Sequence, residues 1–307
     1  MAELLKIAFS KDLQKNIFPD NQFYKRSKDD SVFVNFNKVQ LPHVGTVPTV
    51  KRDRTDKGTA TKRQDTASEY ALHEYSTDPT WLQYSEELLV NYNKRASILE
   101  EHKLQLITEV ARGLAIDWSS NTQSVMFRTS GRKTRPTTAG TGERKRLVLA
   151  DLQKIATEMN KQDIPLAGRY ALITPEMMED LLMIPEVKNS DFNKVKPLVN
   201  GSVGSFMGFH FFVRSKVTVY TAGGTLRGYD STTTADTDNN GAIFWHESFV
   251  RRAEGKVKVF LNVDDAELYG SKMSALVRAG GTVARKDGKG VIKLVEEAAG
   301  EVVAKSI

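Results

Sequence analysis

The chain has 307 residues, of which 44 are Lys or Arg, 38 are Asp or Glu, five are His and none is Cys, for a formal charge of +6 and 40% hydrophobic content. Without cysteine there is no disulfide framework, thiolate metal site, iron–sulfur ligation or thiol nucleophile. The longest uncharged apolar runs fall far short of the ~20 residues of a membrane-spanning helix. Residues 1–6 lack the basic-then-apolar layout of a signal peptide, so a soluble, unexported protein with no membrane partner is expected.

Leu4, Leu5, Ala8, Phe9 and Leu13 fall near helical spacing before Pro19, which predicts a short amphipathic helix over 4–16. Phe23 and Tyr24 follow in a polar stretch. Val32, Val34, Phe36, Lys38 and Gln40 alternate toward Leu41 and Pro42, which predicts a strand. From 45 to 79 neither period persists, and within 51–63 Lys51, Arg52, Arg54, Lys57, Lys62 and Arg63 stand against Asp53 and Asp56 alone. The segment reads as an extended excursion, a long hairpin whose returning arm carries Tyr70, Leu72 and Tyr75. Compact domains seldom hold so long a stretch with so little core pattern, so it needs disorder or a partner.

Residues 82–117 contain no proline and one glycine, Gly113, with Leu88, Tyr92, Ala96, Leu99, Leu106, Val110 and Leu114 along one stripe. A helix of that length spans about 54 Å, against a mean of ~12 residues in globular proteins. With no second long helix beside it, it must cross a sheet or run along neighbouring subunits. A short strand is predicted at 123–127, then a glycine-rich loop carrying Arg128, Arg132, Lys133, Arg135, Arg144, Lys145 and Arg146 against Glu143 alone. Such a run is a solvated surface, or a loop that meets acidic partners or polyanion. It lacks the aromatics that stack unpaired bases.

Further on, the pattern predicts a helix at 147–159 with Leu149, Leu152, Ile155, Ala156 and Met159 as its buried stripe, and a strand at 170–173. A second helix follows, with Thr174 as N-cap and Pro175 in its first position, ended by Pro185. Strands are predicted at 209–213, 217–221, 243–245 and 257–263, the last with Val257, Val259, Leu261 and Val263 on one face. Residues 276–283 and 291–295 read as a closing hairpin around the glycine turn at 286–289.

Catalytic patterns fail on inspection. Gly255-Lys256 and Gly288-Lys289 lack the Ser or Thr of a phosphate-binding loop. His73-Glu74 and His246-Glu247 lack the second His of a zinc-protease helix, and no nucleophile elbow is present. Asp236, Asp238, Asn240 and Glu247 fit the twelve-residue calcium loop with Gly241 at its sixth position. The glycines before it and Ile243, Phe244 and Trp245 favour instead a turn into a strand that carries Glu247 away. No catalytic residue, cofactor or metal is assigned.

The order of elements resembles the major capsid protein of tailed bacteriophages, the α+β Hong Kong 97-like fold. Three phrases are similar to that family: 164–175 (Ile-Pro-Leu-Ala-Gly-Arg-Tyr-Ala-Leu-Ile-Thr-Pro), 204–209 (Gly-Ser-Phe-Met-Gly-Phe) and 242–246 (Ala-Ile-Phe-Trp-His). The resemblance implies an N-arm at 1–32, an E-loop at 33–80, a peripheral domain at 81–142 with a spine helix at 82–117, an axial domain at 143–255, and a return to the peripheral domain at 256–307. It implies a major capsid protein without enzymatic activity that self-assembles, as hexamers and pentamers, into an icosahedral head enclosing phage double-stranded DNA. A separate scaffolding protein is expected, because no long charged N-terminal helical extension is present. A portal protein, a decoration protein and non-specific DNA contact on the inner face are the other implied partners. The implied location is the virion, assembled in the host cytoplasm. Phe23, Tyr24, Lys51, Arg52, Arg54, Lys57, Lys62, Arg63, Tyr70 and Tyr75 are the expected intersubunit contacts, and the basic loop from Arg128 to Arg146 would face DNA or a neighbour. An encapsulin-type shell around cargo enzymes and a basic nucleic-acid-binding protein are the alternatives.

Overall fold

The computed structural model describes residues 19, 21–35, 37–43, 50–55, 57, 62, 66–83, 94–188, 204–231, 235–265 and 269–299. The helix predicted over 4–16, and Arg63, lie outside them. In chain order the elements are a 3₁₀ turn at Gln22–Lys25, β1 (Lys28–Asp29), a second turn at Ser31–Phe33, β2 (Lys38–His43), β3 (Thr66–Ala71), β4 (His73–Ser76), β5 (Thr80–Gln83) and the long helix α1 (Lys94–Ser119). Next come β6 (Val125–Arg128), β7 (Thr134–Pro136), β8 (Glu143–Lys145), α2 (Leu149–Lys161), β9 (Arg169–Ile173), α3 (Pro175–Met183) and α4 (Pro185–Lys188). The chain continues through β10 (Ser205–Phe206), β11 (Phe209–Val213), β12 (Thr218–Tyr220), β13 (Asn239–His246), β14 (Val250–Glu254), β15 (Lys258–Asp265), β16 (Gly270–Val283) and β17 (Val291–Val295).

β16 is the axis of the first sheet. Leu276 pairs with Lys258 of β15 on one edge and with Ser76 of β4 on the other, while β14 continues the β15 edge and β5 the β4 edge. β1 runs parallel to β14 outside it. Because side chains alternate along a strand, Ala275, Val277, Ala279 and Val283 all point to the face that meets Leu106, Val110, Leu114 and Trp118 of α1. Two consecutive glycines let both faces be approached closely. A Cβ on Gly281 would lie 2.8 Å from both Leu114 and Trp118, whereas one on Gly280 would lie 2.5 Å from the Ala71 carbonyl at the base of β3. Only glycine fits where backbone or ring comes that near.

The second sheet runs β10-β11-β9-β13-β17-β6, with β12 also on β13. Its central strands β9, β13 and β17 are mostly apolar, as strands covered on both faces are, with Arg169, Asn239, Asn240, His246 and Lys293 as buried polar exceptions. Ala171, Ile173, Phe244, Ile292 and Leu294 pack against Leu152, Ile155, Met159, Met177 and Leu181 of α2 and α3. Leu172, Ile243, Trp245 and Val291 point the other way, into the cluster that includes α1 and the first sheet. One helix therefore fills the space between two sheets. The expected N-cap holds: the Met177 N–H donates to Thr174 Oγ1 at 3.4 Å, with Pro175 in the first helical position.

Several expectations are corrected. Residues 82 and 83 belong to β5, not to the long helix, whose described part runs from Lys94 to Ser119. Residues 31–33 turn rather than extend, because Asp29 accepts the Ser31 N–H at 2.9 Å and Asp30 accepts the Phe33 N–H through its carbonyl at 2.9 Å. Such local bonds divert the chain, so the strand starts at Lys38. The closing hairpin does not exist: β17 pairs with β13 and β6, not with β16. The turn between them, with Arg285 bound to Asp287 at 2.7 Å and Gly288 at φ +70°, sends the chain across to the other sheet. β4, β5 and β14 lie in the first sheet, while β6 and β17 lie in the second.

Candidate assembly surface

The aromatic residues expected to touch neighbours are consumed by the chain's own core. Phe23 is fully buried, edge-on to Trp118 and Trp245 with ring centres 6.3 Å away in each case. Tyr24 is buried beside the Arg252 guanidinium. Tyr75 packs edge-on to Tyr229 with its hydroxyl against the open α-carbon of Gly113. Tyr70 closes a small cluster with Val39, Leu41, Leu72 and Ala253, and its hydroxyl donates to Asp30 at 3.5 Å. Burial and the neighbouring carboxylates raise the phenol pKa of both Tyr70 and Tyr75. All four are buried within their own chain, and the end of the returning limb is held to its own body through the pairing of β4 with β16.

The outgoing part of the excursion differs. β2 and β3 form an antiparallel arm from Lys38↔Ala71 to His43↔Thr66, with Lys38 bound to Glu69 at 2.7 Å. At six residues it extends about 20 Å. Past it, residues 50–55, 57 and 62 are exposed and carry Lys51, Arg52, Arg54, Lys57 and Lys62 against Asp53, which sits 3.4 Å from Arg52. Val50 is 91% exposed, so its side chain finds no cover on its own chain.

The basic run from Arg128 to Arg146 is not a solvated loop. β7 and β8 make a hairpin whose arginines turn inward. Arg135 is buried between Asp180, 3.1 Å from its Nε, and Glu296, 2.7 Å from its Nη2. Arg146 reaches Asp180 at 3.1 Å, and Leu147 donates its N–H to the same carboxylate at 3.0 Å. Arg144 is buried too, donating to the carbonyl of Asp238 at 2.9 Å and to the side chain of Asn239. Arg128 pairs with Glu297 at 3.2 Å, and Lys145 is half-buried. Only Arg132 and Lys133 of the seven are exposed. Burying this much charge is tolerable because Arg128, Arg135 and Arg146 meet carboxylates and Arg144 is saturated by carbonyl and amide oxygens.

The calcium-loop match dissolves in the same way. Asp238 is buried against Arg227 at 2.9 Å and accepts the Ala235 N–H at 2.9 Å, a turn that opens β13. Burial acts to raise its carboxyl pKa, but hydrogen bonds from Arg227 and Ala235 hold it below the usual value. Asn240 lies in β13 itself, and Glu247 follows its far end, some ~23 Å on at strand rise. There Glu247 accepts from the Tyr170 hydroxyl at 3.5 Å. Asp236, Asp238, Asn240 and Glu247 do not converge.

One surface was not foreseen as open. Val257, Val259, Leu261 and Val263 are 38, 48, 45 and 44% exposed, and Phe260 on the opposite face is 45% exposed. The first four share the face of Ala275 and Met273, which are buried. The apolar face thus continues past the edge of what covers β16. The period of two revealed the strand, but the width of its cover is a tertiary property with no local signal. Val32 and Phe33, 89 and 69% exposed, add a second apolar spot near the arm.

Two sheets on one long helix, a basic arm projecting from them and an apolar edge strand left open define a subunit of a multi-copy assembly, in the Hong Kong 97-like shell class. The family described as phage capsid protein matches residues 114–296, well over half of the chain, and the chain belongs to that family. It is similar in fold to the capsid protein of the cyanophage P-SCSP1u, at 17% identity, TM-score 0.67, 95% of this chain and 93% of that chain covered. It is also similar in fold to a solved chain of Mycobacterium phage Che8, at 16% identity, TM-score 0.63, 94% and 95% covered. The virus-like particle of Pyrococcus furiosus is similar at 13% identity, TM-score 0.51, 88% and 90% covered. The curated proteins give no significant match. The chain is a phage major capsid protein that assembles with itself; the encapsulin alternative is not favoured.

Proposed function

We propose that copies of this chain form, as hexamers and pentamers, the closed icosahedral head that encloses the phage's double-stranded DNA. The role is mechanical, and no reaction is catalysed. β2, β3 and the exposed basic residues beyond them act as the E-loop laid over a neighbour, and α1 acts as the spine. A separate scaffolding protein guides assembly in the host cytoplasm, a portal protein occupies one vertex, a decoration protein binds the mature head in the virion, and the inner face meets DNA without sequence preference.

The observation that carries this reading is the arm. Residues 50–55, 57 and 62 are exposed, strongly basic and poor in apolar side chains, so they cannot pack on their own body and are complemented by an acidic surface of another copy. The test is sizing of the purified chain by sedimentation and electron microscopy, alone and with a scaffolding protein. Closed particles are expected, and their contents decide between DNA and protein cargo. A chain that stays monomeric in both arms of the experiment overturns the reading.

A further inference from the structure

The open strand carries a pattern that fits its own copy. Among the described residues β15 pairs only with β16, so its outer edge offers a row of unpaired backbone groups, a template for another strand. Its ladder with β16 is regular from Lys258↔Leu276 to Asn262↔Lys272, and the irregularity falls later, between Asn262 and Asp265. The segment 256–264 reads Lys-Val-Lys-Val-Phe-Leu-Asn-Val-Asp. Turned end for end about Phe260, it matches itself: Val259 stands level with Leu261, Val257 with Val263, Lys258 with Asn262, and Lys256 with Asp264.

Neighbouring centres are worse. Moving the centre to Leu261 sets Lys258 level with Asp264 but puts Phe260 level with Asn262 and Val257 level with Asp265, and moving it to Val259 sets Phe260 level with Lys258 and Glu254 level with Asp264. Like charges or an apolar residue opposite a carboxylate disfavour those registers. Lys258 Nζ lies 5.1 Å over the Phe260 ring, so the ring at the centre has one cation beside it on its own face.

We propose that β15 pairs antiparallel, edge to edge, with β15 of a second copy about a two-fold axis through Phe260, joining the two first sheets into one. The proposal rests on the reading that the chain builds a shell. A shell made of rings must also join ring to ring, and a two-fold contact uses the same patch on both partners. The basic arm of a neighbour is the competing occupant, but its described tip residues are charged and polar while this stripe is apolar.

The chain has no cysteine, so single cysteines report on register. Directly opposite residues stand about 4.5–5.5 Å apart, within disulfide reach of ~4.4–6.8 Å, whereas diagonal ones at ~7–8 Å are not. In assembled particles under mild oxidation, Phe260→Cys is expected to shift from monomer to covalent dimer, while Val259→Cys alone and Leu261→Cys alone stay monomeric and their co-assembled mixture dimerises. Should Phe260→Cys not assemble, the mixture decides by itself. Particles in which neither Phe260→Cys nor the mixture cross-links, or in which Phe260→Cys joins an Arg54→Cys arm instead, overturn this pairing and leave the shell reading intact. No assembly of the unsubstituted chain overturns both.

Discussion

Asp117, in the last turn of α1, accepts the backbone N–H of Gly281 at 3.1 Å and so fastens the helix to β16. Burial pushes its carboxyl up to about 6, opposed by that hydrogen bond and by the charge of His73. The folded value lies above the unfolded one, so the folded chain holds the proton more tightly. Stability from this group is present at low pH and is lost as pH rises through the window from about 4 to 6. We expect Asp117→Asn to be more stable than the parent at pH 7.5, by up to about 3 kcal/mol for a shift of roughly two pKa units. The advantage should vanish near pH 4. Urea denaturation of subunits at both pH values checks this, and an advantage that grows on acidification contradicts it.

Arg135 is the keystone of the buried ionic network. Its removal leaves Asp180 and Glu296 charged and without it in the interior, and breaking a buried pair costs about 3–5 kcal/mol. Arg132→Ala and Lys133→Ala, at exposed positions, should stay within about 0.5 kcal/mol of the parent. Equal effects at Arg135 and Arg132 in denaturant titrations would refute the inward-facing hairpin.

Gly280 is where the arm's base rests on the first sheet. A methyl group there meets the Ala71 carbonyl, which is backbone and cannot rotate away. Gly280→Ala should therefore destabilise by about 1–3 kcal/mol through overpacking. Amide exchange should rise around residues 66–72 while α2 stays as protected as before. Uniform loss of protection would place the strain elsewhere.

Arg52 and Arg54 separate assembly from folding. Both are exposed, so Arg52→Glu with Arg54→Glu should leave the melting temperature of the subunit unchanged within about 0.5 kcal/mol equivalent. Particle yield should fall, and the loss should shrink as salt rises, because screening weakens exposed charge contacts. Unchanged yield at low salt would remove the arm from the interface.

Local pattern carried much of this fold and little of its partnerships. The α2 stripe, the Thr174 cap and the apolar cores of β9, β11 and β13 are encoded within a few residues, and each is where the pattern put it. The β16–β17 error has a physical cause: two β-forming runs around a glycine turn look like a hairpin whether or not they pair, because strand partners are chosen at long range. The inward turn of the β7–β8 arginines is hidden from local pattern for the same reason. Arg135 meets Asp180 across 45 positions and Glu296 lies much farther along. Phe23 sits in a polar stretch, and only the indoles of Trp118 and Trp245, remote in sequence, explain its burial.

α1 belongs to neither half of the molecule. Tyr75 leans on it from the strand that follows the arm, Ala275 and Val277 from the first sheet, and Ile243 and Trp245 from the second, all within one packed cluster. A close-packed interior transmits displacement rather than absorbing it. A tug on the arm is thus passed along the helix to Trp118 near its end and from there to Trp245 of the second sheet, much as an axle passes torque between two wheels. Strain that arises where one copy grips the next is spread through the whole polypeptide instead of being concentrated at a hinge.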